Sequence, residues 1–544
     1  MEKYRSLNTR YETKRFALLK DWENYAAYLR QAIKVSLALT PEPPRPPLQP
    51  QIFGRWNGDG YSCEKVYFES LPGFYVTGNL FRPAASLSRM PVILCPHGHW
   101  EDGRLHDRDP LGSVIARCIT LARMGALVFS PDMVGYNDSC QLPHWGFPVD
   151  PAFGLSLMAV QTWNNIRSLD FLLALSGADP DRVGVTGESG GGTQTFILNA
   201  IDDRVKVAAP IVMVSRSMQG GCLCENAPLL RLFADNVDIA RLFAPKPLFL
   251  GSCTGDWTSE TPTVEFPAVR EVYALYGAAE KVMNFHVDSA HNYNLPMREH
   301  VYGFFNKFLF GGTEATPIPE ATVMRPPHRD RMVFWGRTAP SPITPEEFTV
   351  QWRQRTENLL QPYLASPEQL RRQLVPLLPY VLGGLPPNGA TATGDEPQHT
   401  RIERTGETLT VAVSARQTDP AAEKITFFDT YNATTLAVCV REISAAVTAT
   451  GENVKLQGLA GAGPACLAAA AINPRVTAVE ADMAGFDPTR EEDWKRFLDT
   501  PGLRRIGGIA TLLAALGSRP VTLRHAAASL QSIAAEYGSS CSIL

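Results

Sequence analysis

The stretch VGVTGESGGGTQTF, residues 183–196, decides the fold of the first half of the chain. Strand-forming residues come first, and a helical segment follows the glycines. Between them stands the pattern G-x-S-x-G, centred on Ser189. A residue on such a sharp strand-to-helix turn needs glycine neighbours, because larger side chains would collide there. The pattern therefore predicts that the Ser189 hydroxyl stands at the N-terminus of a helix, above the edge of a sheet.

The segments around this turn alternate between short apolar runs and helical patterns from residue 64 to about residue 312. Runs such as PVILCPHG (91–98), GALVFSPD (125–132) and KPLFLGS (246–252) are almost wholly apolar. Such strands are typical of a parallel sheet that is covered by helices on both faces. An antiparallel hairpin is expected before them, around residues 71–73. The pattern predicts a doubly wound α/β domain of the α/β-hydrolase type.

Length and composition divide the chain further. A chain of 544 residues with 44% hydrophobic residues is globular and too long for one core. The expected parts are an N-terminal helical segment with a proline-rich linker (1–50), a catalytic α/β-hydrolase domain (51–315), a connector with helices (316–398) and a shorter α/β domain (399–544).

Charge and hydropathy exclude several classes of partner. The net charge is −4, with both signs interspersed, so we expect no nucleic-acid partner. No apolar run approaches the length of a membrane span, and the N-terminus lacks the pattern of a signal peptide. We therefore expect a cytoplasmic protein, or a secreted one if a leader has been removed, and a homo-oligomer is compatible with the sequence. Ten scattered cysteines do not form a disulfide framework.

A serine nucleophile needs a base, and the base needs an orienting acid. In this fold the three residues follow in the order Ser, acid, His. Asp256 stands just after one predicted strand in PLFLGSCTGDWT (247–258), and His291 stands just after the next in VMNFHVDSAHNYN (282–294). Asp235 and Asp238 remain as alternative acids.

An oxyanion hole is expected from two loops. The backbone N–H of Gly190, directly after the serine, is the first donor. The second should come from ILCPHGHW (93–100), where Gly98 allows a turn and His99 or a neighbour offers its N–H.

A metal centre is the rival interpretation of the same region. HGHWED (97–102) partly matches an H-x-H-x-D-H metal signature, but Glu101 and Asp102 stand where that signature has Asp and His. Cys222 and Cys224 lack a second cysteine pair at zinc spacing. We therefore predict no metal and no cofactor.

Several motifs together resemble a known family. CPHGHW (95–100), FSPDMVGYND (129–138), GESGGGTQT (187–195), MQGGCLCENAP (218–228) and AHNYN (290–294) are similar to the acetylxylan-esterase-like carbohydrate esterases of the α/β-hydrolase superfamily. The resemblance implies Ser189 as nucleophile, Asp256 as acid and His291 as base. It implies hydrolysis of acetyl esters of carbohydrates, or of methyl or glucuronoyl esters of uronic acids, on a small or oligosaccharide substrate.

Two other functions stay open: a serine peptidase and an inert binding or scaffold protein. The presence of all three candidate residues favours the esterase. Aromatic, amide and charged side chains near the motifs would suit a sugar. These candidates are Trp100, Tyr136, Asn137, Trp145, Arg216, Glu225, Trp257 and Asn292.

The second half of the chain contains a repeat of the serine turn. Residues 183–210 align with VKLQGLAGAGPACLAAAAINPRVTAVEA (454–481), which places Ala460 on Ser189. Further upstream, ITFFDTYN (425–432) aligns loosely with the strand VFSPDMVGYN (128–137). The repeat is expected to end before a last strand, and His525 falls on the acid side of the sheet. The pattern predicts a degenerate, noncatalytic α/β-hydrolase-like domain.

Overall fold

The structure is a computed structural model that describes residues 4–85, 88–109, 111–383, 399–414, 420–538 and 540–544. The end of the predicted connector, 384–398, lies outside the described residues.

A nine-stranded sheet forms the N-terminal half, in the order β1-β2-β3-β7-β4-β8-β9-β10-β11. Its strands, with the separate hairpin β5–β6, are β1 (Gln51–Gly58), β2 (Tyr61–Leu71), β3 (Phe74–Pro83), β4 (Met90–Leu94), β5 (Asp107–Arg108), β6 (Gly112–Ser113), β7 (Leu127–Pro131), β8 (Ala178–Glu188), β9 (Val207–Ile211), β10 (Leu248–Gly255) and β11 (Val282–Ala290). Strands β1 to β3 are antiparallel, and the strands from β7 to β11 run parallel to one another. This arrangement confirms the predicted α/β class and the predicted hairpin.

Helices cover both faces of this sheet because its central strands are apolar on both sides. Val92 and Leu94 of β4 pack into a core with helices α3 (Leu157–Leu173) and α4 (Gly190–Ile201). Ile93 between them packs into a second core with helices α2 (Val114–Arg123) and α7 (Leu295–Phe305). The helices are α1 (Leu19–Ser36), α2 (Val114–Arg123), α3 (Leu157–Leu173), α4 (Gly190–Ile201), α5 (Asn236–Arg241), α6 (Glu265–Leu275) and α7 (Leu295–Phe305). Among the described residues, no helix is both long and apolar enough to cross a bilayer.

Two local predictions need correction. The first helix begins at Leu19 and not near residue 11. Strand β1 is missing from the sequence prediction, because it lies at the sheet edge and mixes half-buried with exposed residues.

A helical connector leads to a second, six-stranded sheet. The connector contains α8 (His328–Arg331), α9 (Pro345–Leu364), α10 (Pro367–Gln373) and α11 (Leu378–Val381). The second sheet has the order β12-β13-β14-β15-β16-β17. Its strands are β12 (Thr400–Thr405), β13 (Thr408–Val413), β14 (Val454–Gly458), β15 (Val476–Asp482), β16 (Val521–Arg524) and β17 (Cys541–Ile543). Its helices are α12 (Pro420–Glu423), α13 (Phe428–Tyr431), α14 (Thr435–Ala449), α15 (Gly463–Ile472), α16 (Glu491–Phe497), α17 (Gly508–Leu516) and α18 (Ala528–Tyr537).

Two expectations for the second half are wrong. A last strand is present, since β17 pairs in parallel with β16 over three residues. The loose alignment of ITFFDTYN with a strand also fails, because that segment contains the short helix α13. Both errors concern very short elements, whose sequence signal is weak.

The second sheet unit contacts the first at several places, and one of them is the loop 225–231. Leu229 N–H donates to Asp429 O at 2.7 Å, and Arg231 N–H donates to Thr430 O at 2.9 Å. The hydroxyl of Tyr431 donates to Asn226 Oδ1 at 2.6 Å. Helix α13 and its neighbours therefore support a loop that belongs to the candidate site described next.

Candidate active site

Ser189 occupies a strained turn between β8 and α4. Its φ of 54° and ψ of −122° lie outside the regions that residues with a side chain usually adopt. The turn is packed so closely that a Cβ on Gly187 or on Gly191 would lie 2.4 or 2.5 Å from the carbonyl oxygen of Pro96. The half-buried serine thus stands at the N-terminus of α4, as the G-x-S-x-G pattern predicts.

Asp256 and His291 directly follow β10 and β11, at the same edge of the sheet. His291 Nδ1 and Asp256 Oδ2 are 2.6 Å apart, and the Asp256 side chain is buried. The other carboxylate oxygen accepts hydrogen bonds from the N–H and hydroxyl of Thr258. Burial alone would raise the pKa of Asp256, but the hydrogen bonds from His291 and Thr258 hold it below its usual value. An ionised Asp256 keeps the proton of His291 on Nδ1, which leaves Nε2 free to accept one.

The alternative acids have other partners. Asp235 caps helix α5 through the N–H of Asp238, and Asp238 pairs with Arg241 and Lys14. Neither carboxylate is bonded to His291.

Two tryptophans flank the histidine. The ring centroids of Trp257 and Trp100 lie 4.6 and 6.2 Å from that of His291. Among the described residues no hydrogen bond joins Ser189 to His291; such catalytic hydrogen bonds are often long until a substrate is bound.

Of the three residues predicted for the oxyanion hole, Gly190 and His99 remain as candidate N–H donors. Gly190 is the first residue of α4, so its N–H has no acceptor within the helix. The described residues offer no hydrogen-bond acceptor to the N–H of His99. Gly98, which is also a predicted member of the oxyanion hole, instead donates its N–H to Glu188 Oε1 at 3.2 Å. Glycine suits position 98 because the backbone there passes close to the serine, and a Cβ on Gly98 would lie 3.1 Å from Ser189 Cβ.

A buried ion pair behind the turn holds this arrangement, and the sequence patterns do not reveal it. Arg117 Nη1 lies 2.5 Å from Glu188 Oε2, and both side chains are buried. Glu188 Oε1 accepts from Trp100 Nε1 at 2.8 Å as well as from Gly98. Burial would raise the pKa of Glu188, but Arg117 lowers it below the usual value. The residue at the free position x of G-x-S-x-G therefore connects the serine turn to the loop 95–100.

The predicted aromatic substrate contacts differ in exposure. Trp145 is 64% exposed, and Tyr136 is half-buried. Trp100 stacks on His106 with a centroid separation of 4.7 Å. Trp257 and Trp100 are thus the aromatic rings next to His291, and Trp145 is the ring most open to solvent in this group.

The predicted polar substrate contacts are largely engaged within the protein. Glu225 is buried, and its carboxylate accepts from Thr193 and from the backbone N–H groups of residues 221 and 222. Asn137 donates to Asp132, and Asn292 accepts from the N–H of residue 294. The oxygens of Glu225 therefore hold a loop, and a sugar contact by this residue stays a prediction.

Arg216 is half-buried, and its Nε lies 3.8 Å from Asp235 Oδ2. Its backbone N–H donates to Glu265 at 3.0 Å. The guanidinium thus faces an internal carboxylate.

Four possible metal ligands come together beside the serine turn. The ligand atoms of His99, His144, Cys222 and Cys224 all lie within 4.8 Å of one another. The sequence lacks a second cysteine pair at zinc spacing, but the structure brings two histidines to Cys222 and Cys224 instead. The C-x-C pair and the histidines of HGHW and PHW are visible in the sequence as possible metal ligands. They lie far apart in the chain, so the sequence does not show that they form one cluster.

The fold and this site define the N-terminal unit as an α/β-hydrolase. No protein-family model matches the chain. A solved structure named methylesterase BT1017 is 32% identical, covers 56% of this chain and 69% of its own, and superposes with a TM-score of 0.48.

Two further similar proteins have lower identity. A Bacteroides fragilis structure assigned as an acetyl xylan esterase is 18% identical, covering 51% of this chain and 77% of its own, with a TM-score of 0.41. The Bacillus subtilis (strain 168) protein YtaP, assigned as a hydrolase, is 23% identical over 265 residues, which are 44% of this chain and 84% of YtaP. The identity to the methylesterase extends over more than two thirds of that protein, and the chain belongs to the α/β-hydrolase carbohydrate esterases. It is an enzyme that hydrolyses esters.

Proposed function

We propose that Ser189, His291 and Asp256 form a catalytic triad that hydrolyses acetyl esters of carbohydrates through an acyl-enzyme. The observation that carries the proposal is the 2.6 Å contact between His291 Nδ1 and Asp256 Oδ2, at the sheet edge where Ser189 stands. A buried carboxylate that fixes the histidine tautomer is the arrangement that activates a serine.

In the first half of the reaction, His291 Nε2 takes the proton of Ser189 as the serine oxygen bonds to the ester carbon. The carbonyl oxygen becomes an oxyanion that the N–H groups of Gly190 and His99 stabilise. The C–O bond to the alcohol then breaks, and His291 gives its proton to the leaving alcohol.

In the second half, water attacks the acyl-Ser189 ester. His291 takes a proton from this water and returns one to Ser189 as the acid leaves. The positive charge on His291 in each step is balanced by Asp256, whose pKa is held low.

A methyl ester of a uronic acid is the second candidate substrate, favoured by the 32% identity to a protein named methylesterase. The two substrates leave different groups on the enzyme. An acetylated sugar gives acetyl-Ser189 and releases the sugar alcohol, whereas a methyl uronate gives uronoyl-Ser189 and releases methanol.

The experiment compares acetylated xylo-oligosaccharides with methyl-esterified oligogalacturonides, and intact-mass spectrometry after rapid acid quenching identifies the group on the enzyme. The triad predicts that Ser189→Ala loses on the order of 10⁴-fold or more of the rate and carries no adduct. Ser414→Ala, an exposed serine in the second unit, is the matched control. A folded Ser189→Ala variant that keeps a tenth of the wild-type rate would exclude the triad.

For the second sheet unit we propose a supporting, noncatalytic role. Ala460 has no hydroxyl, and four residues separate β14 from α15 where the first unit has one between β8 and α4. The contacts of Tyr431 and its neighbours with residues 225–231 support this role.

A further inference from the structure

The cluster of His99, His144, Cys222 and Cys224 joins three loops that are far apart in sequence. His99 lies in the loop after β4, His144 in the loop after β7, and both cysteines in the turn that begins after β9. His144 and both cysteines are buried, and His99 is half-buried. Polar groups of this kind seldom gather in a buried place without a common partner.

Each histidine directs a ring nitrogen at a sulfur. His99 Nε2 lies 3.0 Å from Cys224 Sγ, and His144 Nε2 lies 3.2 Å from Cys222 Sγ. His144 Nδ1 lies 2.7 Å from the carbonyl oxygen of Val134, which accepts its proton. Metal-binding histidines usually donate their second N–H in this way, since the bond fixes the tautomer whose other nitrogen carries the lone pair.

The loop that carries the cysteines is rigidly built. Glu225 accepts hydrogen bonds from the N–H groups of Gly221 and Cys222 at 2.8 and 3.1 Å. The Asn226 amide donates to the carbonyl oxygens of Gly220 and Cys222. These bonds hold both sulfurs on the side of the turn that faces the histidines.

We propose that these four side chains bind one zinc ion in a closed, tetrahedral site. Two thiolates and two imidazoles are a common ligand set of structural zinc, with Zn–S of about 2.3 Å and Zn–N of about 2.0–2.1 Å. Four donors at those distances around one ion lie roughly 3.3–3.8 Å apart. The four ligand atoms, all within 4.8 Å of one another, need only small movements to reach that geometry. Binding releases the thiol protons, so that zinc and two thiolates form a neutral group.

The position of the site gives zinc a role in positioning the active site. A Cβ on Gly190 would lie 2.5 Å from His99 Cε1, so the His99 ring packs against the peptide that follows Ser189. The backbone N–H of the same His99 is a candidate oxyanion donor. Zinc would therefore hold one oxyanion donor in place without touching the substrate, because its four positions are filled by protein.

A disulfide between Cys222 and Cys224 is the competing arrangement. It would leave the buried imidazole of His144 and the half-buried imidazole of His99 beside an apolar S–S bond that offers their lone pairs no proton or metal. The zinc site uses all four groups, and for this reason we prefer it.

The test measures zinc in the full-length protein, purified with a cleavable tag that does not bind metals. Inductively coupled plasma mass spectrometry should find about one zinc per chain in the wild type. The Cys222→Ser/Cys224→Ser variant should contain almost none, whereas Cys140→Ser, at an exposed cysteine, should match the wild type. Ser189→Ala should also keep its zinc, which separates this proposal from the proposed catalytic function.

Cobalt(II) gives a second readout that does not depend on activity or on the folding of the double variant. Reduced, zinc-depleted wild-type protein should bind cobalt with sulfur-to-cobalt charge-transfer absorption and the intense visible bands of a tetrahedral site. Removal of zinc should lower the melting temperature and kcat/KM, and added zinc should restore both.

Any one of three results would overturn the proposal. The first is reduced protein that binds neither zinc nor cobalt more tightly than the serine double variant. The second is cobalt binding without charge-transfer absorption, which would place the metal away from the cysteines. Thiol counting under denaturing conditions must find both cysteines reduced in the zinc-loaded protein, and a disulfide there would equally refute the site.

Discussion

Replacement of Arg117 by methionine should be among the most damaging changes to the first unit. Arg117 and Glu188 are each about 1% exposed and their charged atoms are 2.5 Å apart. Removal of one partner leaves the other charge buried without compensation, which costs about 3–5 kcal/mol. Glu188→Gln should destabilise the unit by a similar amount, since it leaves the charge of Arg117 buried without a partner.

The double variant Arg117→Met/Glu188→Gln distinguishes a buried pair from two independent contacts. With both charges removed the penalty for an unpaired charge disappears, so the double variant should lose less than the sum of the single variants, by about 2–3 kcal/mol. Urea unfolding followed by tryptophan fluorescence measures these differences. The exposed pair Arg404 and Glu452 is the matched control, and its removal should cost at most about 1 kcal/mol.

The pH dependence of this pair has a definite sign. The pKa of Glu188 in the folded protein is below its ordinary value, so the stabilisation is present above the unfolded carboxyl pKa and is lost as pH falls through the folded one. In the Arg117→Met variant burial instead raises the pKa of Glu188, so this variant loses stability as pH rises above the unfolded carboxyl pKa of about 4.3. The stability difference between the wild type and the Arg117→Met variant should therefore grow from about pH 5 towards pH 8, and should shrink in stronger acid.

Activity gives the second readout of the same pair. Glu188→Gln loosens its hold on Gly98 and Trp100, so kcat/KM should fall by up to about 10²-fold, the loss expected for one misplaced oxyanion donor. Additive single-variant costs, or an Arg117→Met cost under about 1 kcal/mol, would refute a buried and coupled pair.

The remaining predictions concern the acid, the second unit and its contact. Asp256→Asn should reduce kcat by about 10⁴-fold with little change in melting temperature, because the histidine tautomer is no longer fixed; a tenfold loss would point to another acid. Tyr431→Phe removes the bond to Asn226 and should cost about 1 kcal/mol in thermal unfolding, and an unchanged melting temperature would show that the contact is unimportant. Ala460→Ser in a Ser189→Ala background should restore no ester hydrolysis, and any recovery in a nitrophenyl acetate assay would make the second unit a latent enzyme.

Some features of this protein can be predicted from its sequence because they depend on local requirements of the backbone. The turn at Ser189 needs glycine at residues 187 and 191 because the backbone there lies against Pro96 O. Since these glycines are neighbours of the serine in the chain, the requirement is visible as a short sequence motif. The apolar runs of β4 and β7 likewise record burial on both faces of a sheet. The class of fold and the positions of Asp256 and His291 after their strands follow from such patterns.

Weak or long-range signals account for what the sequence left out. Strand β1 is a partly exposed edge strand, and β17 is only three residues long, so neither has a periodic pattern that single-sequence reasoning can detect. The sequence does not show the hydrogen-bond partners of Glu225, so it predicts that this residue is available for a substrate.

The sequence by itself determined the α/β class, the serine turn and the order of the candidate triad, because each depends on residues close in the chain. Only the tertiary structure decided that Arg117 pairs with Glu188, and that His99 and His144 meet Cys222 and Cys224. These contacts join residues 71 positions apart in the first case and up to 125 in the second. Their geometry is set by the packing of whole loops around the sheet edge, and no local rule of spacing encodes it.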